Sequence, residues 1–349
     1  MERKIHCLLA VLLVQFLSAQ TRQYKIHTVA FYNLENLFDT IDHPDKMDEE
    51  SPILKIKHGR TKIYRQKLNN MAKVLSEIGR EKTNTSPSLI GVAEIENRMV
   101  LEELIATDYL KAKNYGIVHY ESPDQRGIDV GLLYKKDVFI PISHKNHELK
   151  IWSDKGYRIF TRDQLVVSGY LENELIYVIV NHWPSRRGGE KRSKHLREKA
   201  AFLNKTICDS IFNSDKSAKI ILMGDLNDDP TNSSLKTILL TKKHKKKVAP
   251  LEWYNPFELL FEHGYSTLGY RDNINLFDQI IVNGNLLSKN NNFDDLKFYQ
   301  ARIFNPNYLT VSKGRYKGYP YRSFTNNSFS NGYSDHYPVY LYLLKKRGE

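Results

Sequence analysis

Short apolar runs rich in β-branched and aromatic residues recur along the whole 349-residue chain, and several stop on an acid, an amide or a histidine. The stretches 24–33, 88–95, 129–134, 164–170, 175–180, 219–223, 276–282 and 337–344 read as strands, with the nearly unbroken 175–180 run as a central one. Leu68, Met71, Leu75 and Ile78 recur at helical spacing and predict an amphipathic helix near 62–80. Leu196, Ala200, Leu203, Ile207 and Ile211 lay an apolar stripe along a second long helix, and 101–106 reads as a short one. The pattern loosens over 229–255, which reads as an insertion. Many strands, few helices and no Gly/Ser or Pro-rich linker predict two packed sheets with helices outside, in a single domain.

The amino terminus is expected to stand apart from that domain. Arg3 and Lys4 precede an apolar run over 7–17 broken only by Gln15, and Ser18-Ala19-Gln20 offers small residues for cleavage. This order predicts a secretory signal peptide over 1–19, a mature catalytic domain over 20–349, and a secreted or periplasmic location. A spanning helix needs about 20 apolar residues, so stable membrane insertion is not expected. Cys7 lies at the start of the apolar run, where a lipid-bearing cysteine would follow it. Cys208 then remains as the one thiol of the mature chain, which excludes an internal disulfide and suits packing as a small apolar residue.

The chain carries a net charge of +12, and loss of Arg3 and Lys4 together with Glu2 lowers it by one. A basic balance favours polyanions. Part of the excess is local: Lys242, Lys243, Lys245, Lys246 and Lys247 crowd one stretch that reads as a solvated loop.

The polar residues at the strand ends carry the chemistry. A carboxylate or amide in an apolar strand is costly unless it is paired or holds a cation. Asn33-Leu34-Glu35 spaces an amide and a carboxylate by two, which puts both on one strand face and suits a hard cation with oxygen ligands; an ordinary strand end is the plain alternative. Glu94 ends the run Ile90-Gly91-Val92-Ala93, either to bind a metal or to emerge into solvent. In Gly224-Asp225-Leu226-Asn227 the glycine permits a sharp turn, Asp225 can orient or deprotonate water, and Asn227 can donate to a phosphate oxygen.

Asp335 and His336 enter the last strand as neighbours, so one side chain can face a metal and the other a substrate. Asp278, in Leu276-Phe277-Asp278-Gln279-Ile280, is placed to fix the His336 tautomer through a ring nitrogen. Asn181-His182-Trp183-Pro184-Ser185-Arg186-Arg187-Gly188-Gly189 gathers a histidine and two arginines after a buried strand, a phosphate clamp if it shares the same edge.

The order of these motifs resembles the endonuclease/exonuclease/phosphatase superfamily, which includes pancreatic-type deoxyribonucleases, abasic-site endonucleases and bacterial sphingomyelinases. Asn33-Leu34-Glu35, Glu94, Gly224 through Asn227, and Ser334-Asp335-His336 are similar to the family's motifs, with Asp278 at the place of the histidine's partner. Asn181-His182 looks like the histidine-bearing strand of the deoxyribonuclease-like and sphingomyelinase-like branch. Arg126-Gly127-Ile128-Asp129-Val130 and Trp183 through Arg187 resemble a secreted bacterial, endonuclease-like branch.

The resemblance implies a four-layer αββα sandwich, two mixed β-sheets flanked by helices, and a metal-dependent phosphodiesterase. It implies Glu35, Glu94 and Asp335 as ligands of Mg²⁺ (or Mn²⁺, with Ca²⁺ as a further candidate). His336, Asp278, Asp225, His182 and Asn227 are the implied catalytic set, and Asn33, Arg186 and Arg187 the substrate-binding set. Nucleic acid, DNA above all, is the expected substrate of a monomer, with 5′-phosphate and 3′-hydroxyl products. A sphingomyelinase-like or small-molecule phosphodiesterase would use the same core; the lipid enzyme would want an exposed apolar hairpin, and none stands out in the sequence. A non-catalytic binding protein of the same fold is the remaining alternative.

Overall fold

A computed structural model of the protein describes residues 23–153, 155–270 and 273–347. The expected signal peptide over 1–19 lies outside them. Along the chain the first elements are β1 (Tyr24–Leu37), α1 (Arg60–Glu77), α2 (Arg80–Thr83), β2 (Leu89–Ile95), α3 (Arg98–Ile105), β3 (Tyr115–His119), β4 (Asp129–Lys135) and β5 (Phe139–His147). Then come β6 (Ile151–Trp152), β7 (Arg158–Ile159), β8 (Gln164–Leu171), β9 (Glu174–His182), α4 (Glu190–Ser214), β10 (Lys219–Asp225), β11 (Trp253–Tyr254) and α5 (Phe257–Glu262). The remainder is β12 (Leu268–Tyr270), β13 (Asn273–Asn275), β14 (Asp278–Asn283), β15 (Lys297–Ile303), β16 (Phe324–Thr325), β17 (Ser328–Phe329) and β18 (Val339–Lys346).

Two six-stranded mixed sheets result, one ordered β15-β18-β1-β2-β4-β3 and the other β11-β14-β10-β9-β8-β5. Alternation along each strand feeds two different layers. Val29 and Phe31 of β1 face inward, meeting Val178, Val180, Ile221 and Met223 of the second sheet. Ala30, Tyr32 and Leu34 face outward onto Tyr64, Leu68, Met71 and Leu75 of α1 and Leu101 of α3. On the far side α4 packs Ala200, Ala201, Ile207, Cys208 and Phe212 against Ile179, Ile220 and Leu222. The order helix, sheet, sheet, helix is the expected sandwich.

The free thiol of Cys208 is buried in that outer layer, as expected of a small apolar residue. Gly91 is required by the closeness of the sheets, since a Cβ there would stand 2.5 Å from the Met223 sulfur.

Residues 229–255 are integrated rather than appended. Leu235, Leu239 and Trp253 are buried against α4's layer, and Trp253 pairs with Asn283 of β14. The lysine run is partly tied down, with Lys242 on Glu252 and Lys243 on Glu262. Within the two large sheets four strands were not expected from the sequence, β3, β5, β11 and β15; β5 and β15 are edge strands whose pairing is interrupted, near Pro141 in β5 and between Phe298 and Gln300 in β15. Among the described residues no helix is long and apolar enough to cross a membrane.

Candidate active site where the two sheets meet

Register places the key residues of the second sheet. Asp225, the last residue of β10, pairs with His182 of β9 on one side and with Asp278 of β14 on the other. Three ionisable groups therefore occupy one rung across three strands. Gly224 is needed just before it: a Cβ would lie 2.3 Å from the carbonyl oxygen of Asn181. The glycine thus serves the close approach of β9 and β10 and not the sharp turn expected from the sequence; the left-handed residue of the turn is Asn227, at φ 49°.

The first sheet contributes through a bulge. Pairing of β1 with β2 shifts between Asn33 and Leu37, and Glu35 and Asn36 adopt φ of 46° and 51°. Strand alternation therefore fails at the point where it was used to put Asn33 and Glu35 on one face. Asn33 instead reaches across to the second sheet, its Nδ2 donating to Asp225 Oδ2 at 3.1 Å, while its Oδ1 accepts from the Glu35 amide at 2.9 Å. The Asn36 amide donates to Glu94 Oε2 at 3.0 Å, and Glu94 itself sits at φ 58°. The bulge therefore aims the Glu94 carboxylate.

His336 closes the site. Its Nδ1 lies 2.7 Å from Asp278 Oδ2, as expected, and its Nε2 faces Asp225 Oδ2 and Asp335 Oδ1, each at 4.0 Å. Ser334 fastens the segment, its hydroxyl donating to the Asn33 carbonyl and accepting from the His336 amide. Burial alone would push the imidazole down, but Asp278, then Asp225 and Asp335, hold it well above its ordinary value. Burial pushes the Asp225 carboxyl up, against the pull of His336 and with Asp278 and Glu94 adding to the rise. His182 is pushed far down by burial, with Arg162, Arg126 and His336 acting in the same direction, so its ring is neutral.

The donor set suits a divalent cation. Ligand atoms of Glu94, His182 and Asp225 all lie within 4.8 Å of one another, and a second such group, Asp225, Asp278 and His336, shares Asp225 with it. Two carboxylates and a neutral imidazole fit a cation of the Mg²⁺ or Mn²⁺ kind. The Nδ1 of His182 and Oδ1 of Asp278 are buried without a hydrogen-bond partner, so the polar capacity of the site is not exhausted by the protein.

Two sets of expected residues are placed differently. Glu35 and Asp335 were expected beside Glu94 as ligands, yet neither belongs to a ligating group of three among the described residues. They are joined instead by Arg322, which contacts Asp335 Oδ2 and stands 3.5 Å from Glu35 Oε1, while Glu35 Oε2 accepts from the Ser323 amide at 2.6 Å. Arg186 was expected as a phosphate clamp. Its guanidinium is committed to its own surroundings: the Asn227 carbonyl, Asp229, Asn232 and Glu190, with the Phe277 ring 4.4 Å away. Arg187 lies exposed on the same turn. Asn227 donates its side-chain amide to the Trp183 carbonyl at 3.0 Å, which secures the turn and leaves its second N–H for a substrate.

Sequence reasoning missed Lys67 and Arg322. Lys67 is buried and donates to the carbonyls of Glu35 and Asn36, the two left-handed residues of the bulge. Its signal was visible: at position 67 it occupies the apolar stripe of α1 between Tyr64 and Met71. Arg322 gave no such signal, because it lies in the irregular segment just before the short β16–β17 hairpin.

Comparison with known proteins agrees with this layout. No curated protein sequence matches the chain. Among solved structures, a humanized D. rerio TDP2 aligns with a TM-score of 0.53 at 12% identity, covering 91% of this chain and 98% of that one. A Bacteroides thetaiotaomicron mannosyl-6-phosphatase aligns with a TM-score of 0.52 at 15% identity, covering 91% and 99%. Identities this low speak for the fold alone. The sequence model of the Endonuclease/Exonuclease/phosphatase family matches residues 28–345, nearly the whole chain, and the chain belongs to that family.

Proposed function

We propose that this member of a hydrolase family is a secreted, divalent-cation-dependent phosphodiesterase that cuts nucleic acid, DNA above all, leaving 5′-phosphate and 3′-hydroxyl ends. The observation that carries the hydrolytic reading is the rung His182–Asp225–Asp278 with His336 held over it. Glu94, with His182 and Asp225 in reach of the same point, would hold the cation, which when bound supplies positive charge to a phosphoryl oxygen.

The chain's own groups supply the rest. Asp278 fixes the His336 ring through Nδ1, so Nε2 is the atom that meets the reacting group. Held protonated, His336 donates a hydrogen bond to a phosphoryl oxygen and gathers its charge. Asp225, facing it, orients the attacking water and accepts its proton, aided by a carboxyl pKa that burial raises. The free N–H of Asn227 donates to the phosphoryl group. The excess of basic residues, +12 over the chain, supports a polyanionic substrate. TDP2 from D. rerio, one of the folds aligned, has been seen complexed with single strand DNA product.

A small phosphomonoester is the second reading. Arg322, half exposed beside Glu35 and Asp335, offers a guanidinium to a terminal phosphate, and one aligned fold is a mannosyl-6-phosphatase.

The test is incubation with supercoiled plasmid, linear DNA, RNA, a sugar phosphate and sphingomyelin, each with Mg²⁺, Mn²⁺, Ca²⁺ or EDTA. Nicking of closed circles in a cation and none in EDTA is the expected result. Turnover of the sugar phosphate alone moves the function to the second reading.

A further inference from the structure

The segment between β5 and β8 emerges at the site's end of the second sheet. His147, the last residue of β5, pairs with Gln164, the first of β8, and Leu165 pairs with Val180, two residues before His182. Within this segment β6 and β7 form a small hairpin, pairing Ile151 with Ile159 and Trp152 with Arg158. No apolar hairpin was evident from the sequence because each of its strands is only two residues long.

One face of the hairpin is rooted and the other is bare. Leu149 and Ile151 are buried in the layer that also holds Trp183, the neighbour of His182. Trp152, Tyr157 and Phe160 are 52%, 72% and 46% exposed, three large rings within nine residues. The Arg158 guanidinium lies 5.2 Å from the Trp152 ring centroid and 5.7 Å from that of Phe160, and Glu148 anchors it at 2.7 Å. Past the hairpin, Arg162 contacts Asp124 and the carbonyl of Trp183, the residue after His182, and Asp124 also holds the partly exposed Arg126 at 3.3 Å. Basic residues therefore run from the rings to the reacting centre.

We propose that the 149–162 hairpin is a stacking platform for the unpaired bases of a single nucleic-acid strand whose backbone passes Arg126 into the active site. The proposal rests on the nucleic-acid reading above and names how such a substrate is held. Exposed rings offer faces that any base can cover, and an adjacent guanidinium adds to the stack. Charge is complementary: residues 145–162 contain Lys145, Lys150, Lys155, Arg158 and Arg162 against Glu148 and Asp154. A lipid surface is the poorer occupant, because the Arg158 charge sits between the two rings that would have to enter hydrocarbon. A single strand is favoured over a duplex because paired bases turn no face outward.

The test uses the full mature chain and a Trp152→Ala/Phe160→Ala double variant. Three substrates or ligands are compared: a single-stranded oligonucleotide, p-nitrophenyl methyl phosphate, and vesicles of anionic lipid. The variant should show a rise of about ten-fold or more in KM for the oligonucleotide and correspondingly weaker binding in EDTA. Turnover of the small diester, too short to reach the hairpin, should be unchanged, which also shows that the variant is folded. Trp152→Phe should keep most of the affinity. An unchanged KM for the oligonucleotide overturns the platform while leaving the nuclease reading standing. Loss of vesicle binding with oligonucleotide KM intact overturns it in favour of a lipid contact. Wild-type turnover of the small diester with none of any nucleic acid overturns the functional reading itself.

Discussion

Asn33, on the first sheet, donates a 3.1 Å hydrogen bond to Asp225, on the second. Both residues are buried, and the bond crosses from one sheet to the other at the residue that belongs to both ligating groups. The two halves of the sandwich are thus connected inside the site as well as through the apolar layer.

Replacing Asn33 with Ala removes that connection and leaves the Glu35 amide without its acceptor. The expected cost is about 2 kcal/mol in urea unfolding, since a buried donor loses its partner. Turnover should fall about 100-fold, as expected when a reacting group is misplaced by an ångström or so. An Asn33→Ala enzyme with wild-type kcat/KM places the bond outside the chemistry.

Lys67→Met should be more costly than its position on a helix suggests. A buried carbonyl of the bulge and a part-buried one lose their donor, for about 3 kcal/mol of stability. The bulge aims Glu94 through the Asn36 amide, so cation affinity should fall in the same variant, read by calorimetry. Stability lost with cation affinity kept would limit Lys67 to a packing role.

The pH dependence of stability follows from His336. Its folded-state value lies above the ordinary 6.5, so the stabilisation it brings is fully present below 6.5 and is lost as pH rises through the raised value. The difference in unfolding free energy between the wild type and His336→Gln, measured in EDTA, should therefore be larger at about pH 6 than at about pH 9. A difference that grows with pH contradicts the assignment of Asp278 as the group that holds the charge. The same substitution should lower turnover by orders of magnitude.

Cation binding distinguishes the two acidic sets. Mn²⁺ should raise the Tm of the wild type and leave that of Glu94→Gln nearly unmoved. Arg322→Ala leaves Glu35 and Asp335 without their shared counter-charge, and Mn²⁺ should then bind about ten-fold tighter, a change of about 1.4 kcal/mol. Equal affinity in wild type and Arg322→Ala would place the cation beyond the influence of that pair.

Much of this site is readable from residue order because it is built at strand ends. Glu94, Asp225, Asp278 and His336 each follow or enter an apolar run, and a polar group there needs a reason. What failed did so for physical causes. Asn33 and Glu35 were assigned a common face by strand alternation, which a bulge at Glu35 and Asn36 interrupts. Arg186 has the chemistry of a phosphate clamp, but its acceptors at Asn227, Asp229 and Asn232 lie more than forty residues on, where no local pattern reports them. The edge strands β5 and β15 lack alternation because one side of each meets solvent and their pairing is irregular.

The rung that carries His182, Asp225 and Asp278 has a consequence for how this chain tolerates change. Neighbouring strands stand about 4.8 Å apart, so the lateral spacing of these groups is a property of the backbone lattice and not of loop conformation. Loops around the rim can lengthen or exchange sequence without recalibrating that ruler. A single-residue deletion within β10, by contrast, would turn the Asp225 position to the opposite face together with every other side chain beyond the gap.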